Sequence, residues 1–132
     1  MHGYAKKLDL EFAQSGDLDK TVGKFLLVLG FQSRLIGTKY LAEAITLKYD
    51  DDRLTCRNLY NTIATHHGAT AGGVERAIRH TIESCRKDGN ITGFNSIVGC
   101  NAIDHKFDTT NSEFISLVSN WLHWVRHDNN SK

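Results

Sequence analysis

The sequence has no proline among its 132 residues, although average usage of about 5% would give about seven. Because proline interrupts helices, its absence favours a helical chain. Long apolar runs are absent as well, since no stretch reaches the roughly 18 apolar residues that a membrane-spanning helix needs. We therefore expect no membrane partner.

Cysteine is scarce, and its spacing shows no paired-cysteine motif. Cys56, Cys85 and Cys100 are odd in number and form no CxxC pair, so they do not suggest a disulfide framework. Residues 1–10 lack the apolar core of a secretory signal peptide. The simplest interpretation is reduced thiols in a cytoplasmic protein.

Charge is small in total but unevenly distributed. The whole chain carries +1, whereas residues 53–87 hold six basic and two acidic side chains, a net of +4, so the remainder sums to −3. Such segregation fits a nucleic-acid-binding face, and it also fits chance clustering on a solvated surface.

Apolar periodicity predicts helices and no convincing strand pair. The first helix stops at Gly30, a residue that favours helix ends. The second is predicted to begin at Thr38 as its N-cap. The third runs from about Leu54 to His66.

Three more helices follow. The fourth begins after Thr70, its predicted N-cap, and extends to about Lys87. A short fifth helix lies within residues 91–98. The last opens with a capping box formed by Thr110 and Glu113. The side chains of this last helix that are predicted to face the core are Phe114, Val118, Trp121, Leu122 and Val125.

We therefore predict an all-α, compact six-helix domain over residues 18–127. Residues 1–17 are expected to form a flexible segment, and residues 128–132 a loose tail. No internal repeat or interdomain linker is present.

The stretch "GATAGGVERAIRH" (68–80) raises a specific question. Gly72 and Gly73 fall in the first turn of the fourth helix, where each costs roughly 1 kcal/mol relative to alanine. Plotted at 100° per residue, one face of this helix is apolar and the opposite face carries a mostly basic row. The spacing of Ala64, Gly68 and Val74 is that of a helix-turn-helix, with a glycine in the turn, which predicts this motif at about 54–87.

In a helix-turn-helix, the N-terminal residues of the second helix meet base edges in the major groove. This would put residues 72–76 at the bases. Arg76 could bind guanine, and Glu75 could accept from the cytosine amino group. The alternative is an exposed Glu–Arg pair with no partner.

Four segments carry a resemblance to a known family. "YLAEAITLKYDD" (40–51), "LYNTIA" (59–64), "VERAIRH" (74–80) and "TNSEFI" (110–115) resemble the C-terminal DNA-binding domain of the stage zero sporulation protein A family, the response regulators that initiate sporulation. The likeness extends from about Leu18 to Arg126.

This resemblance implies a six-helix effector domain that binds duplex DNA at a short element resembling TGTCGAA, often as tandem copies on adjacent sites. It also implies contact with an RNA polymerase sigma factor, and it implies no cofactor. Glu75 and Arg76 match the last two members of the family's base-reading trio, Arg, Glu, Arg. The basic row then places Arg79 toward the DNA backbone or adjacent base edges. The same holds for His80, Arg86 and Lys87.

Two departures from the family pattern stand out. Gly73 replaces the first arginine of the trio, so either the recognition is decayed or retuned, with retuning favoured, or the glycine lets the backbone approach a phosphate closely. No phospho-acceptor receiver domain fits before Leu18, so the sequence is either an excised fragment or a stand-alone effector.

Other functions compete with this interpretation. A helical protein-interaction module that has lost specific DNA binding is the main alternative. A metal-dependent enzyme is more distant: His123 and His127 are spaced to share an ion, but no further ligand at zinc-site spacing accompanies them, so we expect no metal site and no enzyme activity. Trp121 and Trp124 are expected to pack in or near the core, with an interface on the last helix as the alternative.

Overall fold

The computed structural model of the chain describes residues 16–88, 90–99, 102–103 and 110–130, with side chains to residue 127. Within this part of the chain all regular structure is helical. The six helices are α1 (Leu18–Val28), α2 (Ile36–Asp50), α3 (Cys56–His67), α4 (Ala71–Asp88), α5 (Gly93–Val98) and α6 (Asn111–Asn130). The predicted all-α, six-helix class is confirmed. No described helix is long and apolar enough to cross a membrane.

Local chemistry explains where several helices begin and end. α1 ends in a Schellman motif around Gly30, which has φ 91°: the N–H of Phe31 donates to the Leu26 carbonyl oxygen at 3.0 Å. At the start of α6, the Glu113 N–H donates to Thr110 Oγ1 at 3.1 Å and the Thr110 N–H donates to Glu113 Oε1 at 3.0 Å. Both predicted signals are confirmed.

The core lies around α2, which packs against α1, α3, α4 and α6. At one end, an aromatic cluster joins α1, α5 and α6. The rings of Phe25 and Trp121 stack with centroids 5.1 Å apart, and Phe94 meets Phe25 edge-on at 5.7 Å. All five residues predicted to face inward from α6 are buried, and with this stripe the last helix packs against α2 and α4.

α2 and α4 cross very closely at Gly37. A Cβ added to this residue would stand 2.0 Å from the Ala77 carbonyl oxygen and 3.1 Å from Thr81 Cβ. One residue on, the buried hydroxyl groups of Thr38 and Thr81 lie 2.8 Å apart. Because Thr38 Oγ1 donates its single proton to the Gln32 carbonyl oxygen at 2.8 Å, Thr81 must be the donor to Thr38.

The prediction that Thr38 caps α2 is wrong. α2 begins two residues earlier, at Ile36, and Leu35 occupies the N-cap position without a side-chain hydrogen bond. The Thr38 hydroxyl points into the α2–α4 contact instead. The predicted start of α3 is also early, because Thr55 caps that helix through a capping box with Asn58.

The two tryptophans of α6 differ. Trp121 is 7% exposed, as predicted, whereas Trp124 is 65% exposed. The expectation that Trp124 packs near the core is therefore wrong, since it lies on the solvent side of a helix whose opposite stripe is buried. An interface on this helix stays a prediction.

Some expectations lie on residues whose structure is not described. These are the N-terminal segment up to residue 15, most of the connection between α5 and α6, Cys100, and the last two residues of the tail. Cys56 and Cys85 carry free thiols. The helical backbone of α6 runs to Asn130, three residues past the predicted domain end.

Candidate nucleic-acid interface

α3 and α4 form a helix-turn-helix. α3 ends at Gly68, whose φ of 63° is in the left-handed region that glycine tolerates best. The N–H of Ala69 then donates to the Ala64 carbonyl oxygen at 2.9 Å, which closes the turn. Val74 is fully buried, and Ala64 is 6% exposed. The predicted helix-turn-helix, with its glycine in the turn, is therefore confirmed.

α4 divides into two faces. Its buried residues are Val74, Ile78, Thr81, Ile82 and Cys85. The Cys85 thiol donates to the Leu29 carbonyl oxygen at 3.2 Å, and burial raises the pKa of this thiol to about 11. The opposite face is solvent-exposed at Arg76, Arg79, His80 and Lys87. This face is the candidate interface.

The two glycines at the start of α4 have ordinary helical backbone conformations, since neither has a positive φ. The Gly73 N–H donates to Thr70 Oγ1 at 3.0 Å, which confirms Thr70 as the N-cap. A Cβ on Gly73 would lie 3.0 Å from that same oxygen, whereas one on Gly72 would meet only an Arg76 guanidinium nitrogen at 3.4 Å. Backbone strain therefore does not explain either glycine.

Glu75 is held by Arg79. The Arg79 Nη1 donates to Glu75 Oε2 at 2.6 Å across one helical turn, and the Glu75 side chain is 33% exposed. The ion pair fixes the carboxylate in the second turn of α4. A side chain held in one orientation has less conformational entropy to lose when it binds.

Arg86 is the least available of the predicted contact residues. Its Nη2 donates to Glu83 Oε1 at 2.7 Å, and its side chain is only 24% exposed. The hydrogen bond from Arg86 holds the pKa of Glu83 below its ordinary value. Arg86 lies about 80° around the helix from Arg76, at 100° per residue, and so flanks the exposed face.

Two of the exposed cations are without an acidic partner in the described part of the chain. Neither Arg76 nor Lys87 forms an ion pair there, while Glu75 and Glu83 are each paired with an arginine. The face therefore keeps a net positive charge. This arrangement can attract a polyanion and leaves two cations ready to bind it.

A buried amide joins the helix-turn-helix to the last helix, and the sequence did not reveal it. Asn111, the first residue of α6, is 8% exposed. Its Nδ2 lies 3.1 Å from both the Tyr60 hydroxyl of α3 and the Glu75 carbonyl oxygen of α4. Burial raises the pKa of Tyr60 to about 12. An open cavity of about 550 Å³ adjoins this contact and is lined by Tyr60, Glu75, Arg79, Glu83, Thr110, Asn111 and Ser112.

A second set of side-chain hydrogen bonds joins the end of α3 to α2. His66 Nδ1 and His67 Nε2 lie 2.5 and 2.8 Å from the two oxygens of Glu43. Neighbouring histidines on a helix point apart, and here a single carboxylate between them reaches both. No cluster of three or more His, Cys, Asp or Glu that could hold a metal ion occurs among the described residues.

His123 contacts Tyr49 of α2 as well as His127 of its own helix. Its ring stacks on Tyr49 with centroids 3.9 Å apart, and its Nε2 lies 2.7 Å from the Tyr49 carbonyl oxygen. His127 lies beside it, with ring centroids 5.2 Å apart. Stacking and hydrogen bonding give His123 a structural role between α2 and α6.

Comparison with protein families gives a match over residues 22–122 to the family described as "Sporulation initiation factor Spo0A C terminal". The matched range runs from α1 into α6 and contains the whole helix-turn-helix. The chain belongs to this family. Its members are DNA-binding domains of sporulation transcription regulators, and the family is not an enzyme family.

Proposed function

We propose that the chain is a sequence-specific DNA-binding transcriptional regulator that reads a short TGTCGAA-like element by inserting α4 into the major groove. One observation carries this proposal: in a member of this DNA-binding family, the second helix of a helix-turn-helix presents Glu75 and Arg76 near its amino end while its other face is buried.

Glu75 and Arg76 have the chemistry for base reading. An arginine can bind the O6 and N7 atoms of guanine, and a glutamate can accept from the amino group of cytosine. The ion pair with Arg79 already orients the Glu75 carboxylate. We assign Arg79 to holding Glu75, with its remaining guanidinium nitrogens toward an adjacent base or phosphate.

Backbone contacts fall farther along α4. His80 lies one turn after Arg76, on the same exposed face. Lys87 lies about 16 Å beyond Arg76 at 1.5 Å per residue, and its ammonium group suits a neighbouring phosphate. Arg86 would have to break its ion pair with Glu83 to bind phosphate. We therefore assign it a smaller contribution to DNA binding than that of Lys87.

Gly73 stands where the family pattern has its first arginine, and we propose that recognition at this position is retuned. The competing idea is that the glycine brings a free backbone N–H to a phosphate. The Gly73 N–H is already used by the Thr70 cap, which favours retuning.

Further partners are part of the same proposal. Tandem copies on adjacent DNA sites and contact with an RNA polymerase sigma factor would follow the family pattern, as would a cytoplasmic location and the lack of a cofactor. The missing arginine at Gly73 also favours a second candidate, a helical interaction module that has kept the fold and lost specific DNA binding.

Selection from randomised duplexes tests the proposal. The expected result is an enriched element that contains adjacent C·G pairs, with affinity that falls steeply as salt rises. Affinity for the selected duplex should exceed that for scrambled duplex by a factor of roughly 1,000 or more. No enriched element, together with equal binding to all duplexes, would favour the interaction module.

A further inference from the structure

The first turn of α4 has little rigidity of its own. Gly72 and Gly73 are the residues with the most backbone freedom to lose in a helix. The Thr70 cap holds the start of this turn, and the buried Val74 side chain holds its inward face. Geometry at the proposed base-reading positions therefore depends on contacts from outside the helix.

Asn111 supplies such a contact at the required place. Its Nδ2 carries two hydrogens, and the two acceptors at 3.1 Å are the Tyr60 hydroxyl and the Glu75 carbonyl oxygen. Because a carbonyl oxygen has two lone pairs, Glu75 can accept this bond in addition to its helical one. One side chain thus ties both helices of the motif together.

The donor itself is firmly placed. Asn111 directly follows Thr110, whose hydroxyl and N–H form the capping box with Glu113. The next residues of α6 that face inward, Phe114 and Ile115, are buried at 0% and 1% exposure. The amide therefore projects from a fixed helix end onto the backbone of the residue proposed to read cytosine.

We propose that Asn111 is a positioning residue for base reading, which sets where the Glu75–Arg76 turn of α4 lies relative to α3 and α6 and thereby determines site specificity. This inference rests on the proposed function. Base contacts depend steeply on donor–acceptor distance and angle, whereas phosphate contacts by long flexible side chains tolerate small shifts of the helix.

The test compares Asn111→Ala with Ser112→Ala, an exposed neighbour that lines the same cavity. Both are measured as the ratio of Kd for scrambled duplex to Kd for the selected duplex, at a temperature where circular dichroism shows each variant folded. Asn111→Ala should lower this ratio roughly two- to ten-fold, the equivalent of one lost hydrogen bond, with the scrambled-duplex Kd unchanged. Ser112→Ala should leave the ratio unchanged.

Tyr60→Phe provides a milder variant in case Asn111→Ala does not fold. It removes one acceptor and keeps the ring and the Asn111–Glu75 bond, so its ratio should fall by less than that of Asn111→Ala. A purely structural role would lower the melting temperature and leave both ratios at the wild-type value, which would overturn the inference. An equal loss in Ser112→Ala would overturn it too.

Amide hydrogen exchange without DNA separates this inference from the proposed function. Asn111→Ala should speed exchange in the first turns of α4 while leaving α2 protected. If the wild-type protein shows no site preference but this local effect is present, the proposed function fails, and with it the role in base reading, while the hold of Asn111 on the first turns of α4 stands. Unchanged exchange in α4, together with an unchanged Kd ratio, would remove the positioning role alone.

Discussion

Gly37 of α2 lies against the Ala77 carbonyl group of α4, so closely that a Cβ on Gly37 would stand 2.0 Å from the oxygen. Gly37→Ala must therefore displace one helix, and we expect it to lower the free energy of unfolding by about 1–3 kcal/mol. Urea unfolding measures this. The matched control is Gly23→Ala in α1, where a Cβ meets nothing within 4 Å. There the higher helix propensity of alanine should raise the free energy of unfolding by roughly 0.5–1 kcal/mol. Equal gains in both variants would contradict the close crossing.

Arg76→Ala tests base reading. The guanidinium group is exposed and without an ion-pair partner in the described part of the chain, so its removal leaves the fold intact. We expect specific binding to weaken by roughly 1–3 kcal/mol and preference for guanine to relax at one position. Titration of single-base variants of the selected duplex measures both. Equal loss for specific and scrambled duplexes would mark Arg76 as a phosphate contact.

Lys87 and Arg86 should differ as backbone contacts. Lys87→Ala should weaken all duplexes similarly and reduce the salt slope by about one unit. Arg86→Ala should change the slope less, because Arg86 is half-buried and bonded to Glu83. Binding measured from low to moderate salt gives both slopes. An unchanged slope in both variants would place this end of α4 off the DNA.

Gly73→Arg decides how the family's missing arginine is to be understood. Helix propensity should add up to about 1 kcal/mol of stability, reduced by crowding of the new Cβ against Thr70 Oγ1 at 3.0 Å. Gly72→Ala, whose Cβ meets only a flexible side chain at 3.4 Å, controls for propensity alone. If recognition is retuned, the arginine should sharpen preference for the TGTCGAA-like element.

The other outcomes of that exchange are equally informative. If DNA affinity falls while stability holds, the glycine serves close approach of the backbone. If neither the wild-type protein nor Gly73→Arg binds DNA specifically, the interaction-module proposal replaces the regulator proposal.

Glu43 should make stability depend on pH. Burial raises the pKa of this carboxyl, but hydrogen bonds from His67 and His66 more than offset that and hold it below its ordinary value of 4.5. A lowered pKa in the folded state means that the contribution to stability is present above pH 4.5 and is lost as pH falls through the folded value. Glu43→Gln should therefore cost up to about 1 kcal/mol near neutral pH and nothing in strong acid. A constant difference in urea unfolding across this range would contradict the assignment.

Sequence patterns predicted those features that depend on neighbouring residues. The buried stripe of α6, the Thr70 and Thr110 caps and the Gly68 turn all follow from periodicity and local hydrogen bonding. The prediction that Thr38 caps α2 failed because its hydroxyl group is used in a tertiary hydrogen bond with Thr81. Local pattern cannot distinguish a threonine that caps a helix from one that is drawn into a helix crossing.

The candidate site divides in the same way. The exposed row of α4 was predictable from helix geometry, but its pairing was not: Arg79 binds Glu75 and Arg86 binds Glu83, while Arg76 forms no such pair among the residues that the structure describes. Gly37 and Asn111 act across 40 and 36 residues of chain, on Ala77 and Glu75 respectively. Contacts at that separation need the folded backbone to become visible.

The two tryptophans of α6 give the protein a pair of optical reporters. Trp121 is packed on Phe25 at one end of the core, while Trp124 is 65% exposed three residues later. Emission from the first should shift to longer wavelength only when the core opens, whereas emission from the second should be quenched by iodide in the folded state. Replacing either indole by phenylalanine would separate the two signals, so that unfolding and surface association could be followed independently, each in its own single-tryptophan variant.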